Sequence, residues 1–216
     1  MKNIAVILGG CGTKDGSEIN ETVTLLLALD QHGLKYQCFA PDSDQYQVVN
    51  HVTGEVVDEK RNMMVEAARI VRGNILPMTD FNVNDYDGLA IPGGVGVANN
   101  LFTYFIDGIQ MTVLPEVRDA IVKMHEQNKP IAAMCIAPVL IANVLKDVTV
   151  TLGNDDCGPA KDVLKMGAHH EATKKGEVTS DLKNKIFTTP CFMLDSTLKD
   201  IYEDAYNLVD AFAKAL

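Results

Sequence analysis

The strongest constraint on the fold is a repeating order along the chain. A short apolar run closes at glycine or proline, and a stretch with helical spacing follows. Asn3 to Leu8 is apolar and ends at Gly9-Gly10, the pattern of a parallel strand buried on both faces. Beyond Asp15-Gly16-Ser17-Glu18, residues Val23, Leu26 and Leu27 fall at helical spacing until Gly33. Asp15 and Glu18 have the spacing of an N-terminal capping box. Lys35 to Ala40 is a second strand closed by Pro41-Asp42, and the polar stretch 44–60 reads as a loop or small hairpin. Asn62 to Val71 predicts a helix, Ile75 to Met78 an extended piece, and Gly88 to Ile91 a buried strand broken at Pro92-Gly93-Gly94. Pro115 to Gln127 predicts an amphipathic helix with proline in its first turn.

Pro130 to Met134 is another strand, followed by a helix to about Lys146. Val148 to Leu152 reads as a fifth strand, Pro159 to Met166 as a short helix, and 168–189 as strands joined by turns at Lys175-Gly176 and Lys183-Asn184. Thr197 to Ala215 closes the chain as a helix with Ile201, Ala205, Leu208, Val209 and Phe212 on one face. This alternation predicts an α/β fold, a flavodoxin-like three-layer sandwich with a mostly parallel sheet. No linker, repeat or low-complexity tract interrupts it, so residues 1–216 are expected to form a single domain.

Charge narrows the partners. The net charge is −10 and no Lys/Arg cluster opposes it, so no nucleic-acid partner is expected. No apolar run is long enough to span a bilayer, and the opening MKNIAVILGG is too short for a signal-peptide core. The expected address is the cytoplasm, with no membrane partner. Five cysteines, an odd count without a C-x-x-C, indicate free thiols in a reducing compartment and no zinc site.

Cys135 stands apart from the other four. The strand ending at Met134 runs into Cys135-Ile136-Ala137-Pro138 and a helix with no loop between them. A residue so placed is forced into a sharp backbone conformation, a nucleophile elbow, above the carboxyl ends of the strands. The following helix N-terminus favours a thiolate.

These residues resemble the ThiJ/PfpI superfamily, relatives of class I glutamine amidotransferases. Met134-Cys135-Ile136-Ala137-Pro138 is similar to its nucleophile turn, and Ile91-Pro92-Gly93-Gly94-Val95-Gly96 to its Pro-Gly-Gly loop. The ElbB-like branch is resembled by Gly10-Cys11-Gly12 with Asp15-Gly16-Ser17-Glu18, Cys38-Phe39-Ala40-Pro41-Asp42, Asn50-His51 with Thr53-Gly54-Glu55, Ala68-Arg69-Ile70 with Arg72-Gly73, and Thr188-Thr189-Pro190. The resemblance implies Cys135 as nucleophile and Glu18 as the buried carboxyl that hydrogen-bonds its sulfur and acts as acid/base. It implies the N–H groups of Gly94 and Ile136 as oxyanion donors, with Gly93 in the same substrate-binding loop.

One departure bears on mechanism. Many relatives carry a histidine after the strand that follows the nucleophile helix, whereas Val150-Thr151-Leu152-Gly153-Asn154-Asp155 has none. His169 and Glu171 form a His-x-Glu pair, but it precedes the late hairpin, so an exposed strand end is expected there. Cys11 reads as a packed turn residue, and Cys38, Cys157 and Cys191 as structural.

The resemblance implies a glutathione-independent glyoxalase that turns methylglyoxal or glyoxal into a 2-hydroxy acid. A small dicarbonyl is the implied partner, with no cofactor or metal required, and a homodimer is expected. A cysteine-oxidation sensor and a ThiJ/PfpI-type hydrolase or deglycase are the alternatives.

Overall fold

A computed structural model describes residues 1–216. Its strands are β1 (Asn3–Ile7), β2 (Lys35–Ala40), β3 (Val48–Val49), β4 (Val56–Val57), β5 (Ile75–Pro77), β6 (Gly88–Ile91), β7 (Ile131–Met134), β8 (Thr149–Val150), β9 (His169–His170), β10 (Thr179–Asp181) and β11 (Ile186–Thr189). Its helices are α1 (Ile19–Gln31), α2 (Met63–Ile70), α3 (Val97–Asn100), α4 (Tyr104–Asp107), α5 (Pro115–Glu126), α6 (Ala137–Leu145), α7 (Gly158–Lys165) and α8 (Leu198–Ala213).

Seven strands form the central sheet in the order β10-β11-β7-β6-β1-β2-β5. All pairings in it are parallel except β10 with β11. Helix α1 packs on α8 and α2, and α5 packs on α6, which gives helix, sheet and helix layers. Strands β6 and β7 are buried at every residue, as a sheet covered on both faces requires. The architecture is the α/β flavodoxin-like sandwich that the sequence predicts.

Parallel pairing places the carboxyl ends of β1, β6, β7 and β11 at one edge of the sheet. The turns after them are Gly9-Gly10, Pro92-Gly93-Gly94, Cys135 and Pro190-Cys191. The candidate site is built from those turns and the first turn of α1.

Two local expectations change, and one stretch without a reading gains structure. The fifth strand shortens to β8, which leaves the main sheet and pairs with β9. Side chains take its ladder bonds: Thr149 N–H donates to Asp181 Oδ2 at 2.9 Å, Thr151 N–H to Thr188 Oγ1 at 2.9 Å and Leu152 N–H to His170 Nε2 at 3.1 Å. The Asp15 capping box does not form. Helix α1 begins at Ile19 with Glu18 as its cap, and the Asp15 carboxylate instead accepts Val49 N–H at 2.8 Å. Residues 97–107, which carry no strong periodicity, fold into the short helices α3 and α4.

Candidate functional site: a buried cysteine–glutamate pair

β7 ends at Met134 and α6 begins at Ala137. Between them Cys135 has φ 58°, the left-handed region that costs an L-residue roughly 1–2 kcal/mol. The turn is held from both sides. Cys135 N–H donates to the Thr189 carbonyl at 3.0 Å, continuing the β7–β11 ladder, and the neighbours Met134 and Ala137 are fully buried. Cys135 itself is only 8% exposed.

The carboxyl beside this thiol belongs to Glu21. It lies in the first turn of α1, is 0% exposed, and faces the Cys135 thiol closely enough that each raises or lowers the other's hold on its proton. Its Oε2 accepts Gly93 N–H at 3.0 Å. Oε1 is buried without a close hydrogen-bond partner, and the thiol and Phe192 N–H are the other polar groups turned toward this carboxyl. A buried carboxyl with an unused oxygen beside a nucleophile is poised to exchange protons.

The structure therefore corrects the role expected of Glu18. That side chain caps α1: its Oε2 accepts Glu21 N–H at 2.7 Å and its Oε1 accepts from Asn20 Nδ2 at 3.2 Å. Capping directs the Glu18 carboxylate along the helix start, and residue 21, nearly one turn on, is the one aimed at the sulfur. The sequence holds a signal for this. Glu21, Leu25, Ala28 and Leu29 share one helical stripe, and all four are buried, so the acid occupies a core position where a carboxylate is costly without a purpose.

The loop opposite Cys135 is shaped by glycine. A Cβ on Gly93 would lie 2.6 Å from Cys135 Cβ and 2.8 Å from Glu21 Oε2. Gly94 has φ 122°, and a Cβ there would meet the Gly16 carbonyl and, at 2.7 Å, the Glu18 nitrogen. Glu18 N–H donates to the Gly93 carbonyl at 2.9 Å and Gly96 N–H to the Thr13 carbonyl at 3.1 Å. The two glycine turns thus lock together and bring Gly94 N–H to the sulfur. Ile136 N–H reaches it from the other side.

Electrostatics couples the pair. Burial, then the Glu18 charge, pushes the Glu21 carboxyl up to about 8, against the hydrogen bonds from Cys135, Gly93 and Phe192. Burial, then Glu21, pushes the Cys135 thiol well above its ordinary value, against the N–H groups of Ile136 and Gly94. The freely ionised thiolate expected from the helix N-terminus gives way to a pair that holds its protons at neutral pH. Loss of one proton leaves a single negative charge shared between sulfur and carboxyl.

The histidines do not join this pair. His170 has a side chain 2% exposed, yet Leu152 N–H occupies its Nε2 and Asp155 Oδ1 lies 3.1 Å from its Nδ1. His169 and Glu171 are exposed, as the strand-end reading expects. His51 is held by Lys14 N–H at 3.2 Å and the Val49 carbonyl at 3.0 Å. Cys11 sits half-exposed among Glu66, Arg69 and Asp15. The two surface depressions lie elsewhere, one around Asp30, Tyr36 and Tyr86 and one between Asn100 and Pro115.

Comparison with known proteins places this geometry. Residues 11–181 match the DJ-1/PfpI family. The chain is 38% identical over 209 residues to human glutamine amidotransferase-like class 1 domain-containing protein 3, mitochondrial, covering 93% of this chain and 78% of that protein. It is 32% identical over 210 residues to the zebrafish (Danio rerio) ES1 protein, mitochondrial, covering 90% and 78%. A crystal structure of an isoprenoid biosynthesis protein with an amidotransferase-like domain from Ehrlichia chaffeensis superposes with a TM-score of 0.93 at 38% identity, covering 100% of this chain and 99% of that one. The two curated relatives are named as mitochondrial, which overturns the cytoplasmic address expected from the N-terminus. Family match, sequence identity and superposition agree with the elbow found at Cys135, and the chain belongs to the DJ-1/PfpI family.

Proposed function

We propose that this chain is a cofactor-independent glyoxalase in which Cys135 is the nucleophile and Glu21 the acid/base. The observation behind this reading is the fully buried Glu21 carboxyl set beside a thiol at a strained strand-to-helix turn.

Once the pair has lost one proton, the Glu21 carboxylate takes the remaining proton from the Cys135 thiol as the sulfur attacks. The sulfur adds to the aldehyde carbon of methylglyoxal, forming an S–C bond. The carbonyl oxygen takes up the electron pair between the N–H groups of Gly94 and Ile136 and receives the Glu21 proton, giving a hemithioacetal. Glu21, now a carboxylate, removes the hydrogen from that carbon and returns a proton to the adjacent one through an enediol. The product is a thioester of a 2-hydroxy acid. Water then breaks the S–C bond, restoring the singly protonated pair and releasing lactate. The net reaction is methylglyoxal plus water to lactate, which needs no external oxidant or reductant.

The test is to incubate the protein with methylglyoxal in the absence of glutathione and follow dicarbonyl loss and lactate formation. Turnover that disappears in Cys135→Ala supports the reading. No turnover by the wild type, or equal turnover by Cys135→Ala, removes it.

A further inference from the structure

We propose that Cys191 is the resolving partner of Cys135. After a hydroperoxide oxidises Cys135, Cys191 closes a Cys135–Cys191 disulfide that takes the nucleophile out of action reversibly. The proposal rests on Cys135 being a nucleophilic thiol and is independent of its substrate.

The sheet brings the two cysteines together. Thr189 on β11 is the register partner of Met134 on β7, and Cys135 N–H donates to the Thr189 carbonyl at 3.0 Å. Only Pro190 separates that carbonyl from Cys191. The register continued sets Pro190 opposite Cys135, so Cys191 is offset by one residue. Strands about 4.8 Å apart and a rise of about 3.3 Å per residue bring the two Cα atoms to about 6 Å, within the roughly 4.4–6.8 Å that a disulfide needs. Cys191 also has a left-handed backbone, with φ 46°, so the chain turns there and does not run on away from the elbow. The charges of Cys135 and Glu21 both act on the Cys191 thiol, which groups the three side chains together.

Burial divides the labour. Cys191 is 0% exposed, so an oxidant in solution meets Cys135 first. Cys38 lies on β2, three positions from β7 in the sheet order, and Cys157 points its thiol at the Leu152 carbonyl at 3.7 Å. Neither is placed to resolve an oxidised Cys135.

The steps balance. The Cys135 thiolate attacks the O–O bond of the hydroperoxide. An S–O bond forms, an alcohol or water leaves, and sulfur is oxidised by two electrons to sulfenic acid. The Cys191 sulfur then attacks the Cys135 sulfur, so the S–S bond forms and the S–OH bond breaks. The Cys191 proton passes to the departing hydroxide by way of the Glu21 carboxyl, giving water. A dithiol reductant returns two electrons and restores both thiols.

The test treats the full chain with one equivalent of hydrogen peroxide, blocks free thiols with iodoacetamide under denaturing conditions, and maps non-reduced peptides by mass spectrometry. The expected result is a linked Cys135–Cys191 peptide pair, free thiols falling from five to three, and reversal by dithiothreitol. In Cys191→Ala, dimedone should trap sulfenic acid at Cys135, and sulfinic acid should accumulate several-fold faster. Wild-type protein with oxidised Cys135 and alkylated Cys191, or a link from Cys135 to another cysteine, overturns the proposal alone. A Cys135 inert to both peroxide and iodoacetamide in the native protein overturns the nucleophile reading as well. The wild-type map decides the matter even should Cys191→Ala fail to fold.

Discussion

Glu18 Oε2 accepts the backbone N–H of Glu21 at 2.7 Å, so one acidic side chain caps the helix that carries the other. The cap fixes the first turn of α1, and that turn aims Glu21 at Cys135. In the proposed reaction Glu18 is thereby a positioning residue, and Glu21 the group that would touch the reacting atoms.

Stability should fall with rising pH because of Glu21. Its folded value is about 8 against an ordinary 4.5, so the folded chain binds this proton more tightly than the unfolded one. The contribution is fully present below about 4.5 and is lost as pH rises through about 8, amounting to roughly 3–5 kcal/mol at most. Glu21→Gln should flatten that slope and raise Tm relative to wild type at pH 8.5, read by thermal unfolding across pH 5–9. Parallel pH profiles for the two proteins would argue against a buried, proton-holding carboxyl.

The catalytic pH profile follows from the same proton with the opposite sign. The competent pair has lost one of its two protons, so kcat/KM for methylglyoxal should rise with pH and bend near 8. A profile flat from pH 6 to 9 would separate turnover from this pair.

Gly93 should tolerate no side chain. A Cβ there meets Cys135 Cβ at 2.6 Å and the Met134 carbonyl at 3.0 Å, and neither atom can swing aside. Gly93→Ala should cost about 1–3 kcal/mol in urea unfolding and abolish most turnover. Gly33→Ala is the contrasting control: its φ of +66° is strained for alanine but nothing surrounds it. It should lose about 1 kcal/mol and keep its activity.

The sequence carries the architecture because β1, β6 and β7 are apolar runs and β2 ends in one, with glycine, proline or cysteine at their carboxyl ends. Those signals are local. Cys135 is legible for the same reason, since the absence of a loop between Met134 and Ala137 already dictates a strained turn. The acid is harder to identify, because Glu18 and Glu21 both lie at the start of α1 and differ only in which way the helix turns them. A one-residue shift of the helix start decides between them, and helix starts are the least sharply written feature of a sequence. The adjacency of Cys191 to Cys135 depends on β11 pairing with β7, a long-range register with no local mark. The shortened β8 likewise depends on acceptors from Asp181, Thr188 and His170, all distant in the chain.

Assigning the proton of Cys135 to Glu21 rather than Glu18 is the central claim, and turnover of methylglyoxal by Glu21→Gln and Glu18→Gln tests it most directly. In Glu21→Gln the new amide keeps an acceptor for Gly93 N–H but relays no proton, so kcat should fall by about 10²–10⁴. In Glu18→Gln the amide keeps a capping oxygen, so kcat should stay within a few-fold of wild type. A Glu21→Gln enzyme as fast as wild type, or an inactive but folded Glu18→Gln, would contradict the account.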